Sequence, residues 1–271
     1  MVMAVIVCGA ITMLSDSSFA SAAASGSPTM IAYWGQSKSS NLYQDAARTE
    51  QSLSDFCKLT QFTHVHLAYL RDPFAIDDLP GIDFSKHCSF PNDVSLSRYK
   101  TQRPVSGFAP LFCPSIRDGI QACQEKGKKV LLTISPVTSL GSDDRGRQFA
   151  NTLWNLFFGG QHSQRPFGAR KLDGIELALR TDQYIGYGAM IQELKRLAGS
   201  NPLTVTVSPR CDFPDALFGP TYADRILTSG SSALSLVDNI NVHFLSSTSC
   251  SLIPNPDGFQ RSLNAWIDFA R

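Results

Sequence analysis

The chain has no Asn-x-Ser/Thr sequon, no Cys-x-x-Cys pair, no Gly-x-Gly-x-x-Gly, no phosphate loop and no Gly-x-Ser-x-Gly elbow. Each absence removes a class of function. Without the sequon, N-glycosylation is not expected. Without closely spaced cysteines, neither a structural zinc site nor a redox dithiol has its ligands. Without the glycine fingerprints, no nucleotide phosphate finds a backbone cradle, and without the elbow no nucleophilic serine is marked. Charge is scarce too: 17% of 271 residues, with 24 Lys plus Arg against 23 Asp plus Glu and a net charge of +1. That balance offers no pull toward nucleic acid or an anionic membrane. The apolar run Ala4 to Leu14 is shorter than the roughly 20 residues of a membrane span.

What is present is a 43% hydrophobic chain, enough to bury a sizeable core. Ala4 to Leu14 followed by the small-residue stretch Phe19 to Gly26 reads as a secretory signal. Cleavage after Ala22 or Ala24 fits the small-x-small pattern, although no Lys or Arg precedes the apolar core. A signal over residues 1–24 leaves one domain over 25–271 and an extracellular destination. It removes Cys8 and leaves Cys57, Cys88, Cys113, Cys123, Cys211 and Cys250. Six cysteines on a secreted chain point to three disulfides, with fifteen pairings open.

From Met30 onward, short apolar runs alternate with helix-length segments. The strand-like runs are Met30–Trp34, Phe62–Leu70, Val130–Ser135, Leu172–Leu179, Leu203–Val207 and Ile240–Leu245. Helical periodicity marks Ile116–Lys126, Arg147–Phe157, Ile185–Leu197 and Phe259–Phe269. Such alternation predicts a parallel sheet covered by helices, and the missing dinucleotide signals favour a (β/α) barrel over a doubly wound sheet. Arg71 to Pro114 is long for a barrel connection and reads as a loop.

Several stretches together resemble plant class III chitinases and the related xylanase inhibitor proteins of glycoside hydrolase family 18. They are Ile31-Ala32-Tyr33-Trp34-Gly35-Gln36, Gly119 to Gln124 with Gly127 to Val130, Leu153-Trp154-Asn155, Arg165-Pro166-Phe167-Gly168, Leu172-Asp173-Gly174-Ile175, Cys211 to Asp215, and Trp266. The resemblance implies a (β/α)8 TIM-barrel type, α/β in class, with its site at the C-terminal ends of the strands. It also implies the pairing Cys57–Cys123, Cys88–Cys113 and Cys211–Cys250, and no metal or cofactor. After Phe269 the chain stops at Arg271, so the barrel is expected to be truncated after its sixth β/α unit. That would leave the Met30–Trp34 and Ile240–Leu245 strands as open edges.

Active members of the family carry Asp-Gly-x-Asp-x-Asp-x-Glu on the fourth strand, where alternate side chains face the mouth. The Glu protonates the glycosidic oxygen, and the preceding Asp orients the substrate's own acetamido nucleophile. Here Asp173 is kept, but the three facing positions read Glu176, Ala178 and Arg180. A guanidinium does not give up its proton at working pH. Loss of general acid catalysis alone removes about 10²–10⁴ in rate. Glu176 lies roughly 13 Å from Arg180 along the strand, too deep to replace it. Elsewhere the family's Gln before the fifth-strand cysteine is Arg210. Its sixth-strand Gln-x-Tyr reads His243-Phe244-Leu245, and the glycine-rich end of strand three reads Ser135-Pro136-Val137.

The pattern is that of a pseudoenzyme, with no intact catalytic residue. Its leading reading is a secreted, xylanase-inhibitor-type defence protein whose partner is a microbial xylanase or other glycosidase. A non-hydrolytic lectin for chitin oligosaccharides is the alternative, and an active endochitinase comes third. Binding candidates are Tyr33, Trp34, Arg180, Arg210 and His243. The bland readings are plain as well. Tyr33, Trp34 and Trp154 sit in apolar runs where aromatics pack cores. His64 and His66 share a strand face without a third metal ligand. Asp77-Asp78 and Asp143-Asp144 suit turns and helix caps, and an ion pair to Asp182 or Asp212 would explain Arg180.

Overall fold

The computed structural model describes residues 2–5, 30–36, 50–76, 78–85, 87–88, 113–135, 138–179, 184–220, 225–228, 231–245 and 247–270. Arg180, Asp182, Asp77, Pro136, Val137 and residues 6–29 lie outside them. Strands β1 (Val2–Val5), β2 (Ile31–Trp34), β3 (His64–Ile76), β4 (Leu79–Ile82), β5 (Lys129–Ile134), β6 (Gly174–Leu177), β7 (Thr204–Val207) and β8 (Asn239–Val242) form one sheet. The helices are α1 (Leu53–Phe56), α2 (Pro114–Glu125), α3 (Asp143–Phe157), α4 (Tyr187–Ala198) and α5 (Pro256–Ala270).

Strand order is β1-β8-β7-β6-β5-β3-β2, every neighbouring pair parallel, with β4 antiparallel on β3. The six strands from β2 to β8, leaving out β4, make the curled half-barrel of a truncated (β/α) TIM-type fold. Two sequence expectations change. The segment after Leu70 is not all loop, because β3 runs on to Ile76 and folds back through β4. The outer edge of β8 is not open either: Val2 to Val5 pair with Asn239 to Val242 residue for residue.

The period-two rule divides the strands cleanly. Val65, Leu67, Val130, Leu132, Ile134, Ile175, Leu177, Val205, Val207, Ile240 and Val242 belong to one apolar core with the helices. The alternate positions, including His66, Thr133, Glu176, Thr206 and Asn241, are polar and also buried. The sheet therefore turns its greasy face to the helices and a polar face inward. Helix α3 starts at Asp143 because the Ser142 hydroxyl accepts from Arg145 N–H, with Asp143 and Asp144 in the first turn complementing the helix dipole. Gly174 opens β6 where a side chain would not fit: a Cβ there would lie 2.0 Å from the Thr204 carbonyl oxygen.

Disulfides join Cys57–Cys123, Cys88–Cys113 and Cys211–Cys250. The first ties the end of α1 to α2, and the third ties the loop after β7 to the loop before α5.

Candidate functional site

Four inward-facing side chains, from β2, β3, β5 and the end of β7, meet on one carboxylate. Glu176 of β6 is fully buried. Its Oε1 accepts from the Tyr33 hydroxyl at 2.5 Å and from the Ser208 hydroxyl. Its Oε2 accepts from the Thr133 hydroxyl at 2.7 Å, and His66 Nδ1 stands 2.9 Å away. Burial pushes the Glu176 carboxyl up, but His66 and the hydrogen bonds from His66, Ser208 and Tyr33 outweigh it and hold the group below the usual carboxylate range. Tyr33 moves the opposite way, raised by burial and then by the Glu176 charge. The result is an ionised carboxylate that keeps its charge by accepting hydrogen bonds.

Tyr33 also reaches across the molecule. Its hydroxyl lies 3.5 Å from His243 Nε2, and the two rings meet edge to face at 6.4 Å. Since Tyr33 is on β2 and His243 follows β8, this contact links the first and last strands of the six-strand arc. Side chains thus bridge a gap that the backbone leaves open.

The remaining candidates divide. Ala178 is buried after β6 and carries no polar group. Asp173, at the base of the strand, accepts from Val130 N–H at 2.8 Å and Gln124 Nε2 at 3.0 Å, so it pins β6 to β5 and α2. Arg210 bridges to His243 at the strand ends and sits 3.6 Å from Asp212. Leu245 is 75% exposed. Trp34 faces away from Tyr33, as the strand period demands. It is buried against the His87 ring at 4.1 Å and donates to the Gln51 carbonyl.

Sequence reading missed Thr133, Ser208 and Asn241, and treated His66 as an ordinary strand residue. The signal was available in the alternation Thr204-x-Thr206-x-Ser208 and Asn239-x-Asn241-x-His243, which puts polar groups on the inward face. Two inward groups have spare capacity: His66 Nε2 and both amide atoms of Asn241 are buried without a hydrogen-bond partner among the described residues.

No family model matches the chain. Chitinase 2 of Rhizopus oligosporus is 32% identical over 250 residues, covering 90% of this chain and 39% of that protein. The acidic endochitinase of Cucumis sativus is 28% identical over 262 residues, covering 96% and 74%. Among solved structures, ICChI chitinase from Ipomoea carnea superposes with a TM-score of 0.63 at 25% identity, covering 86% of this chain and 74% of that one. The chain is chitinase-like in sequence and fold. The fold of the xylanase and α-amylase inhibitor XAIP-II from Scadoxus multiflorus agrees, with a TM-score of 0.65 at 24% identity and coverage of 89% and 75%. This chitinase-like chain spans less than half the length of the first curated relatives it matches, 39% and 18% of them.

Proposed function

We propose that the chain is a secreted chitinase-like protein that binds without hydrolysing, and that it acts by docking on another glycosidase. The observation that supports this most is the state of Glu176. It is the one carboxylate on the inward face of β6, Gly174–Leu177, and four neighbours consume its acceptor capacity. The middle acidic position is Ala178, and the last is Arg180. General acid catalysis needs a protonated group within reach of the leaving oxygen, and this strand offers none.

A protein partner suits the surface better than a sugar at the mouth. The large apolar groups exposed on the loop from Phe244 to Asn255 are aliphatic: Leu245, Leu252 and Ile253. Among the described residues no Trp or Tyr is similarly exposed, whereas a sugar groove would offer aromatic faces. The test is a titration of fungal xylanases of more than one fold with the purified protein. Loss of xylanase activity at micromolar protein supports the reading, and unchanged activity removes it. Calorimetry with N-acetylglucosamine oligomers examines the lectin alternative on the same preparation.

A further inference from the structure

Strand β8 is held unequally on its two sides. Toward β7 it pairs at Thr206–Asn239 and Val207–Ile240, and pairing resumes only at the isolated bridge from Arg210 to His243. On the outer side every residue of β8 has a partner: Val2, Met3, Ala4 and Val5 lie parallel and opposite Asn239, Ile240, Asn241 and Val242. With β1 in place, Ile240, Asn241 and Val242 are buried.

The outer edge carries none of the usual guards. Edge strands are kept from pairing with other chains by Lys, Pro, bulges or inward charges. Asn239-Ile240-Asn241-Val242 has no charge and no proline, and its register with β1 runs without a shift. The acid just before it, Asp238, is already used, accepting from Val205 N–H at 2.7 Å and Lys195 Nζ at 2.8 Å. An edge of this kind suits an extended strand that is itself uncharged, and Val2-Met3-Ala4-Val5 is such a strand, without Gly or Pro and with two β-branched residues.

Nothing local forces the two strands together. A tight turn can deliver only an antiparallel neighbour, whereas β1 and β8 are parallel and come from opposite ends of the chain. Their pairing is therefore a docking event in which the intervening chain acts as a tether, setting an effective concentration rather than a geometry. What the edge accepts from its own chain it can accept from a separate one, by the strand addition through which sheets capture extended peptides. We propose that the outer edge of β8 is a strand-acceptor site for an extended, uncharged apolar peptide running parallel to it, and that residues 2–5 fill this site in cis. The site is made of backbone pairing and does not depend on how the Tyr33–His243 mouth is used.

The experiment uses the full chain and a fluorescent peptide of residues 1–7 carrying a lysine tail for solubility. In the parent protein the edge is occupied. In the double variant Met3→Pro, Ala4→Pro it is vacated, because successive N–H groups of a strand point to opposite edges and two prolines remove the one that faces β8. The peptide should bind the double variant saturably, raise its melting temperature and slow amide exchange at Asn239–Val242, while binding the parent at least tenfold more weakly, since the tethered strand competes. The same peptide with both prolines should lose about tenfold or more in affinity, as its ladder hydrogen bonds cannot form. If the double variant does not fold alone, refolding it with the peptide carries the decision: recovery of the native circular dichroism supports the site, because a ligand of the folded state stabilises it. The proposal is overturned if the peptide neither binds nor rescues the double variant, if it binds the parent equally well, or if the proline peptide serves as well as the original.

Discussion

Glu176 and His66 face each other fully buried in the barrel interior, so removing either partner leaves the other buried and poorly matched. Glu176→Ala should cost about 3–5 kcal/mol in urea denaturation, the usual penalty for breaking a buried pair. A loss under about 1 kcal/mol would mean that the cluster is not held by charge. Nearby His64 gives a pH signature. Burial, then the charges of His66 and Lys129, lower it from 6.5 to about 4. Between those values the unfolded chain binds the proton and the folded chain does not, so stability is full above pH 6.5 and falls as pH drops toward 4. Melting temperature measured across that window should fall less steeply in His64→Gln than in the parent. Glu176 adds a separate loss at lower pH, as its carboxylate is protonated below the ordinary range. Much of this was written in the residues. The alternation at Thr204, Thr206 and Ser208 announces a polar inward face, but that Ser208 and Tyr33 meet on one oxygen of Glu176 depends on the curl of the sheet, which no local pattern encodes.

Among the elements, the helices were the most legible, because amphipathic periodicity survives without tertiary context. The structured start of α3 at Asp143 was not read from apolar spacing, since the first turn is held by Ser142 and acidic side chains. The β3–β4 hairpin was missed because Asp72, Pro73 and Asp78 read as loop residues, while β3 extends through Asp72 and Pro73 to Ile76 and pairs back with β4. The loop from Phe244 to Asn255 is held by the Ser251 hydroxyl on the Phe244 and Ser247 carbonyls, Asn255 on Ser249, the Ser247 and Ser249 hydroxyls on Asp212, and the disulfide to Cys211. A Cys211→Ser, Cys250→Ser double variant, opening a link between residues 39 apart in sequence, should lose about 2–4 kcal/mol. It should also become cleavable within this loop under limited proteolysis. An unchanged digestion pattern would show that the hydrogen bonds alone fix the loop.

At the scale of the molecule, six strands with a polar inner face must shield that face and close their edges. Tyr33 to His243 spans the arc on the inside, and Val2–Val5 cover the outer edge of β8. A protein beginning at residue 25 would lack that added strand, leaving the Asn239–Val242 edge unpaired. It should melt lower than the full chain or associate into dimers, both read by calorimetry with light scattering. Equal melting and a monomeric mass in both would show that β1 contributes nothing to the fold. The sheet topology was foreseeable from strand–helix alternation. The capture of β8 by a segment that reads as a secretory signal was not, because edge pairing is a choice made in three dimensions.

We propose that this barrel mouth has lost its acid and does not hydrolyse chitin. The direct measurement is release of reducing ends from N-acetylglucosamine oligomers by the parent protein and by Glu176→Gln, across acidic to neutral pH. The account predicts no release above the blank from either. Turnover by the parent that disappears in Glu176→Gln would contradict it.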